Sequence, residues 1–268
     1  MIIIFAAIFF ILGLIIGSFL NVVVYRMNTS RSLGGRSACM FCKHVLSWYE
    51  LVPLFSFMAL RGRCKNCKTK IAFQYPAVEF ITGLLFAILF WKLQDVFLFS
   101  PLTFFIPYVY YSFLFSILLV IAVYDLKHKI IPDTLAFTFS LVAFIGLFFL
   151  DSSSISFGGY VFSPHLPKLV TLFSGVFVAL PFALLWVVSR GAWIGLGDAK
   201  LALGLGWFLG LGRAFSGIVL SFWAGAIIGI GLIVFKKGYG MKSEIPFAVF
   251  LILGAFLAFI FDLHLFTF

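Results

Sequence analysis

Eight apolar stretches set off by polar or glycine-rich breaks dominate this chain: residues 2–24, 78–97, 103–124, 131–150, 167–188, 198–210, 213–235 and 245–265. A helix needs about 20 apolar residues to cross a bilayer, and all but the sixth stretch reach that length. Inside hydrocarbon every backbone N–H and C=O must be satisfied within the segment, which leaves the helix as the form these stretches can take. The chain is 63% hydrophobic, whereas a soluble domain is roughly half apolar. No aqueous core could bury that excess, so the sequence predicts an all-α polytopic membrane protein with about eight transmembrane helices.

The first stretch does not read as a cleaved signal peptide. No basic residue precedes it, and Arg26 follows it. Gly13, Gly17 and Asn21 recur at four-residue spacing, a stripe that predicts close packing against another helix. The 38 Phe residues read as lipid-facing bulk rather than as an aromatic site.

A net charge of +10 would suit a nucleic-acid binder, but the distribution of charge argues against that. With the amino terminus outside and eight alternating spans, 16 of the 19 basic residues fall in the inner connections. Only Lys92, Lys168 and Arg213 lie outside. That asymmetry is the positive-inside bias, and anionic lipid headgroups answer the charge without a nucleic-acid partner. The expected setting is an inner, or plasma, membrane with the amino terminus outside. The expected division is a first transmembrane helix at 1–24, a cytoplasmic loop at 25–79 and a larger membrane domain at 80–268. The outer loop 151–166 is polar and Gly/Ser-rich and carries no recognisable chemistry, and the inner connection 236–244 is brief.

All four cysteines, Cys39, Cys42, Cys64 and Cys67, lie in the loop 25–79 as two C-x2-C pairs. Two such pairs suit a tetrahedral Zn2+. A reducing cytosolic face disfavours disulfides. Arg61, Arg63, Lys65 and Lys68 would favour thiolates. Four thiolates leave no open position on the ion, so the expected role is structural, tying together a loop with little core of its own. Free thiols or one redox-active pair are the other readings of the same residues.

The chain has nine acidic residues. Asp125, Asp133, Asp198 and Glu244 fall near the inner ends of apolar stretches, in VYDLKHKIIPD, in WIGLGDAKL and before the last span. A carboxylate at membrane depth costs about 2.5–3.5 kcal/mol on insertion scales, so such residues are candidates for function. Two carboxyls sharing one proton can work as general base and general acid on a peptide bond. Gly195 and Gly197, without side chains, would let a substrate backbone approach. Read singly, Asp125 fits equally an interfacial partner of Lys127 or Lys129, and Asp198 fits a helix cap. Asp133, after Pro132, suits the start of a helix.

Taken together, the ordered motifs resemble those of the type IV prepilin peptidase family, the leader peptidase and N-methyltransferase enzymes. GSFLNVVVYR (17–26) resembles the exit of that family's first helix. SACMFCKHVLSWYELVPLFSFMALRGRCKNCKTKI (37–71) resembles its cysteine loop, and QYPAVEFITGLLF (74–86) the beginning of its second helix. DLKHKIIPD (125–133) and GLGDAKL (195–201) resemble its two aspartate motifs, and IPFAVFLILGA (245–255) its last span.

The resemblance implies an intramembrane aspartic peptidase of the GxGD type with Asp125 and Asp198 as the catalytic pair. It implies cleavage after Gly in the short basic leader of type IV prepilins or pseudopilins on the cytoplasmic side. It also implies methylation of the new amino terminus by S-adenosyl-L-methionine, and Cys39, Cys42, Cys64 and Cys67 as metal ligands. Glu50, Glu79 and Gly83 lie in the matching stretch and are candidates for cofactor or substrate contact. Methyl transfer rests on the resemblance alone, because no strand–Gly-rich loop–helix unit is present to bind a nucleoside. Two motifs depart from the family: Met27-Asn28 follows Arg26 in place of x-Pro, and Pro246-Phe247-Ala248-Val249 stands for Pro-Phe-Gly-Pro. A proton-coupled transporter and a zinc-bearing scaffold are the readings of other classes.

Overall fold

A computed structural model describes residues 2–29, 32, 34–150, 165–235 and 245–265. The loop 236–244, with Glu244, and nearly all of 151–166 lie outside the described residues. Every described element is helical apart from two isolated bridges. The helices are α1 (Ile2–Arg26), a 3-10 turn η1 (Trp48–Leu51), α2 (Phe55–Ala59), α3 (Gln74–Phe99), α4 (Pro101–His128), α5 (Asp133–Gly146), α6 (Leu169–Ser189), α7 (Leu196–Leu209), α8 (Leu211–Phe235) and α9 (Ala248–Ile260).

Each of the eight apolar stretches coincides with a helix. Five, α1, α3, α4, α6 and α8, are long and apolar enough to cross a membrane. The other three are shorter: α5 and α7 have 14 residues and α9 has 13. At 1.5 Å per residue a 14-residue helix is about 21 Å long, less than a hydrocarbon layer of about 30 Å. The structure therefore supports a multi-pass all-α membrane protein, with five full-length spans where the sequence suggests about eight.

The chain forms two compact units, Met1–Gln94 and Asp95–Phe268. In the first, α1 and α3 cross where α1 carries its glycine stripe. A Cβ on Gly13 would meet Thr82 O at 2.6 Å, and one on Gly17 would meet the Glu79 Cα at 2.8 Å. Only glycine lets the backbones come so close. Asn21 Nδ2 then donates to Tyr75 O at 3.0 Å. Later residues of α1 thus meet earlier residues of α3, so the two helices run antiparallel.

In the second unit α4 is the most enclosed span, with 72% of its apolar window buried. It packs on α5 and α9, while α7 lies against α5 and α6. Glycine again sets the spacing. A Cβ on Gly206 would stand 2.6 Å from the Gly175 Cα of α6, and Ser174 Oγ donates to Gly206 O at 2.8 Å. On the opposite side a Cβ on Gly204 would strike the Phe139 ring of α5 at 2.6 Å. Pro101 occupies the first turn of α4, where its missing N–H costs nothing. α4 continues only to His128, three residues past Asp125, because Lys127 and His128 suit a helix terminus and Lys129 (φ 54°) closes it.

Candidate active site

Asp125 sits in the last turn of α4, and the Lys129 N–H returns to its carbonyl at 2.7 Å. Asp198 is the third residue of α7, after Gly195 at the N-cap. Both side chains lie in the second unit and both residues are buried, at 5% and 9% exposure. Asp125 accepts a hydrogen bond from the Ala248 N–H at the start of α9, and the Asp198 carboxylate lies beside the Gly195 backbone, whose carbonyl accepts the Asp198 N–H at 3.2 Å. The two are near enough that the Asp125 carboxylate acts electrostatically on Asp198. α5 and α9 mediate this approach: α4 packs on both, and both pack on α7.

The neighbouring candidates separate clearly. Asp133 is exposed and pairs with Lys200 at 2.7 Å, tying the start of α5 to α7. That contact occupies Lys200 away from the buried acids. Gly195 has open room: a Cβ there would meet nothing nearer than Asp198 Oδ2 at 3.6 Å. Above Gly197 the space is taken by Ile131, whose Cβ would lie 2.9 Å from an added methyl. Gly197 thus lets the segment between α4 and α5 close onto α7, and of the two glycines only Gly195 has room for an approaching backbone. Ala248 carries no sequence signal as a site residue. Its contribution is a backbone N–H, which any residue except proline would supply.

In the first unit the cysteine loop consists of two turns of the same pattern. Ala38 bridges Val45, and Arg63 bridges Lys70. In each, the first cysteine N–H bonds a carbonyl five residues on: Cys39 to His44 O and Cys64 to Thr69 O, both at 2.9 Å. Lys43 and Lys68 take matching positive φ, 57° and 59°. The sequence shows this as spacing, and the structure shows it as a repeated knuckle. The four sulfurs all lie within 4.8 Å of one another. Cys39 and Cys67 are 3.8 Å apart, and Cys42 and Cys64 are 4.0 Å apart, each pair joining one knuckle to the other. Tetrahedral bonds of about 2.3 Å place zinc-bound sulfurs about 3.8 Å apart, so the cluster fits one ion with little movement. The Thr69 hydroxyl, 3.2 Å from the sulfur, and the Thr69 backbone N–H draw the Cys67 thiol down to about 6.

Glu50 belongs to η1 and turns its side chain toward the first knuckle. Its Oε2 accepts the Ser47 N–H at 2.8 Å and lies 3.5 Å from His44 Nε2. Its Oε1 is buried with no hydrogen-bond partner among the described residues. Glu79 Oε2 accepts the Leu54 N–H at 2.8 Å, holding Leu54 at a positive φ of 59°. Gly83 is filled by packing, with Phe10 and Leu14 of α1 both 2.9 Å from an added Cβ.

Residues 11–93 match the bacterial peptidase A24 N-terminal domain, and residues 112–230 match the type IV leader peptidase family. A prepilin leader peptidase/N-methyltransferase of Myxococcus xanthus is 34% identical over 246 residues, covering 90% of this chain and 67% of its own. The protein of that name in Bacillus subtilis is 30% identical over 259 residues, covering 95% and 94%. The one in Aeromonas salmonicida is 28% identical over 278 residues, covering 93% and 88%. No solved structure matches the chain. Two family domains in the expected order, and relatives aligned almost end to end, establish that the chain belongs to the type IV leader peptidase family of enzymes.

Proposed function

We propose that the chain is an aspartic endopeptidase that removes the basic leader of type IV prepilins or pseudopilins, cutting after Gly at the cytoplasmic membrane edge. We propose further that it methylates the new amino terminus with S-adenosylmethionine. The names of its relatives support the two activities together. The observation that carries the chemistry is the pair Asp125 and Asp198, both buried in one unit and electrostatically linked. Buried like charges resist joint ionisation, so one carboxyl holds the proton and the other is the base.

The ionised carboxylate takes a proton from water, whose oxygen attacks the Gly carbonyl carbon. The protonated partner hydrogen-bonds the carbonyl oxygen, and the C–N bond breaks as a proton passes to the leaving amine. The Ala248 N–H holds the Asp125 side chain in place, and the open flank at Gly195 is the approach for the extended substrate. No metal is needed for these steps. Cys39, Cys42, Cys64 and Cys67 would hold Zn2+ as a structural tie between the knuckles. The functional division follows 1–24, 25–79 and 80–268, with the cysteine loop distinct from the peptidase domain.

In the second activity the methyl donor is a substrate. The new amine attacks the sulfonium methyl carbon, the C–S bond breaks, and the amine nitrogen releases a proton. Glu50, with one buried oxygen unpartnered, is the residue whose chemistry best suits a cationic ligand there. The basic residues of the inner connections support a plasma-membrane location with the amino terminus outside. The test is mass spectrometry of a candidate prepilin incubated with the purified protein and S-adenosylmethionine. Loss of the leader, with one added methyl mass on the mature chain, is the expected result. An intact prepilin in every preparation of folded protein would refute the peptidase reading.

A further inference from the structure

The cysteine loop exposes apolar side chains that its own fold does not cover. Phe41 is 77% exposed, Trp48 79%, Phe55 71% and Met58 74%. They come from three pieces of backbone: the tip of the first knuckle, η1 and α2. The last two pack together. α2 has no buried residue at all, although its sequence is Phe-Ser-Phe-Met-Ala. Large aromatic groups so exposed outside a membrane span mark a surface that meets something apolar.

Connectivity and charge indicate what that is. α1 and α3 are antiparallel, so the loop leaves and rejoins them at one end, at Arg26 and Gln74. Only six residues separate Cys67 from Gln74, and even fully extended they reach about 25 Å. The module therefore cannot leave the surface of the bilayer that α1 and α3 cross. Between Arg36 and Lys70 it carries seven basic residues and one acid, Glu50. All seven are exposed and Glu50 is buried. Lys65 shows how the two kinds of side chain sit together: its ammonium donates to Tyr49 Oη at 2.7 Å and lies 4.9 Å from the centroid of that ring.

We propose that the cysteine module docks on the anionic leaflet at the end of the bilayer from which it emerges, with Phe41, Trp48, Phe55 and Met58 among the headgroups. Aromatic side chains favour that layer, and exposed lysines and arginines favour its negative potential. The basic leader of a prepilin would meet like charge on this surface, which disfavours it as the occupant. The proposal rests on the membrane reading of α1 and α3 and is independent of the peptidase reading.

The test places p-benzoylphenylalanine at position 41, 48 or 55 of the full-length protein in nanodiscs. Illumination should yield phospholipid adducts, at least about fivefold more in discs containing phosphatidylglycerol than in phosphatidylcholine alone. In the unmodified protein, residues 38–58 should exchange amide hydrogen more slowly in the anionic discs. Adducts to added prepilin or to a second copy, no adduct, or yields and exchange indifferent to lipid charge would each overturn the proposal. Cleavage of a prepilin, measured in the same discs, reports separately on the peptidase reading.

Discussion

The backbone N–H of Ala248, the first residue of α9, donates to the carboxylate of Asp125 in the last turn of α4. One helix thus presents its amino-terminal end to an acid that another helix carries at its carboxyl end. Ala248 is fully buried at that contact. Ala248→Gly keeps the N–H and should keep activity within about threefold, whereas Ala248→Leu forces extra volume into a packed site. Displacing a positioned group by about 1 Å can cost about 100-fold, so kcat of the leucine variant should fall by at least tenfold. Leader cleavage by the two purified variants checks this.

The proposed pair predicts its own loss. Asp125→Asn and Asp198→Asn should each lower cleavage by about 100- to 10,000-fold, the range supplied by a positioned acid or base. Both proteins should still insert and keep a wild-type melting temperature. Methylation of a substrate supplied without its leader should survive, since neither acid is asked to move a methyl group. Cleavage near the wild-type rate in either variant would remove that residue from the mechanism.

The glycines of α7 and α8 give stability predictions of opposite sign. Gly206→Val would drive a side chain into Gly175 and Ser174 of α6, and overpacking of this kind costs about 1–3 kcal/mol. Gly231, within α8, has nothing within 4 Å of an added Cβ. Gly231→Ala should be neutral or stabilising by up to about 1 kcal/mol. Thermal unfolding in one detergent compares the two.

Metal content tests the cysteine module. The protein should carry one zinc per chain, and Cys64→Ser should release it. Structural zinc in small modules supplies roughly 10–16 kcal/mol of apparent folding energy at neutral pH, so the stripped loop should lose order. Hydrogen exchange over residues 37–71, before and after chelation, reads this directly.

The module should also respond to acid through Glu50. The Ser47 N–H, with help from His44, holds the Glu50 carboxyl below the usual carboxylate range. A depressed carboxylate stabilises the fold above its ordinary value of 4.5, and that contribution disappears as pH falls through the lower folded value. Exchange protection of residues 44–50 should weaken below about pH 4.5, and Glu50→Gln should flatten that dependence.

How much of this was legible in the sequence varies with the kind of interaction. The apolar stretches, the stripe Gly13–Gly17–Asn21 and the spacing of the four cysteines are repeated patterns of side chains, and each has its counterpart in the structure. The shortness of α7 is already visible in the short sixth stretch, 198–210, whereas α5 and α9 are harder to delimit, because Pro132 and Pro246 delay the start of each helix inside runs that remain apolar. The candidate site divides in the same way. Asp125 and Asp198 stand out as acids in apolar surroundings. The Ala248 N–H, Ile131 filling the space above Gly197 and Lys200 captured by Asp133 depend on which helices become neighbours. A single sequence carries no direct record of that.

The brevity of α7 bears on how a hydrolase can work among lipid tails. At about 21 Å it falls roughly 9 Å short of a typical hydrocarbon layer. α7 is enclosed by its neighbours, but α5, which packs on it, is equally short and exposes Phe137, Leu141 and Ile145. Acyl chains against α5 would compress or tilt to meet it, and a dimple there would let bulk solvent descend toward Asp198 at the tip of α7. Membrane thickness then becomes a control on turnover: short-chain lipids should ease delivery of the attacking water, and long-chain lipids should hinder it.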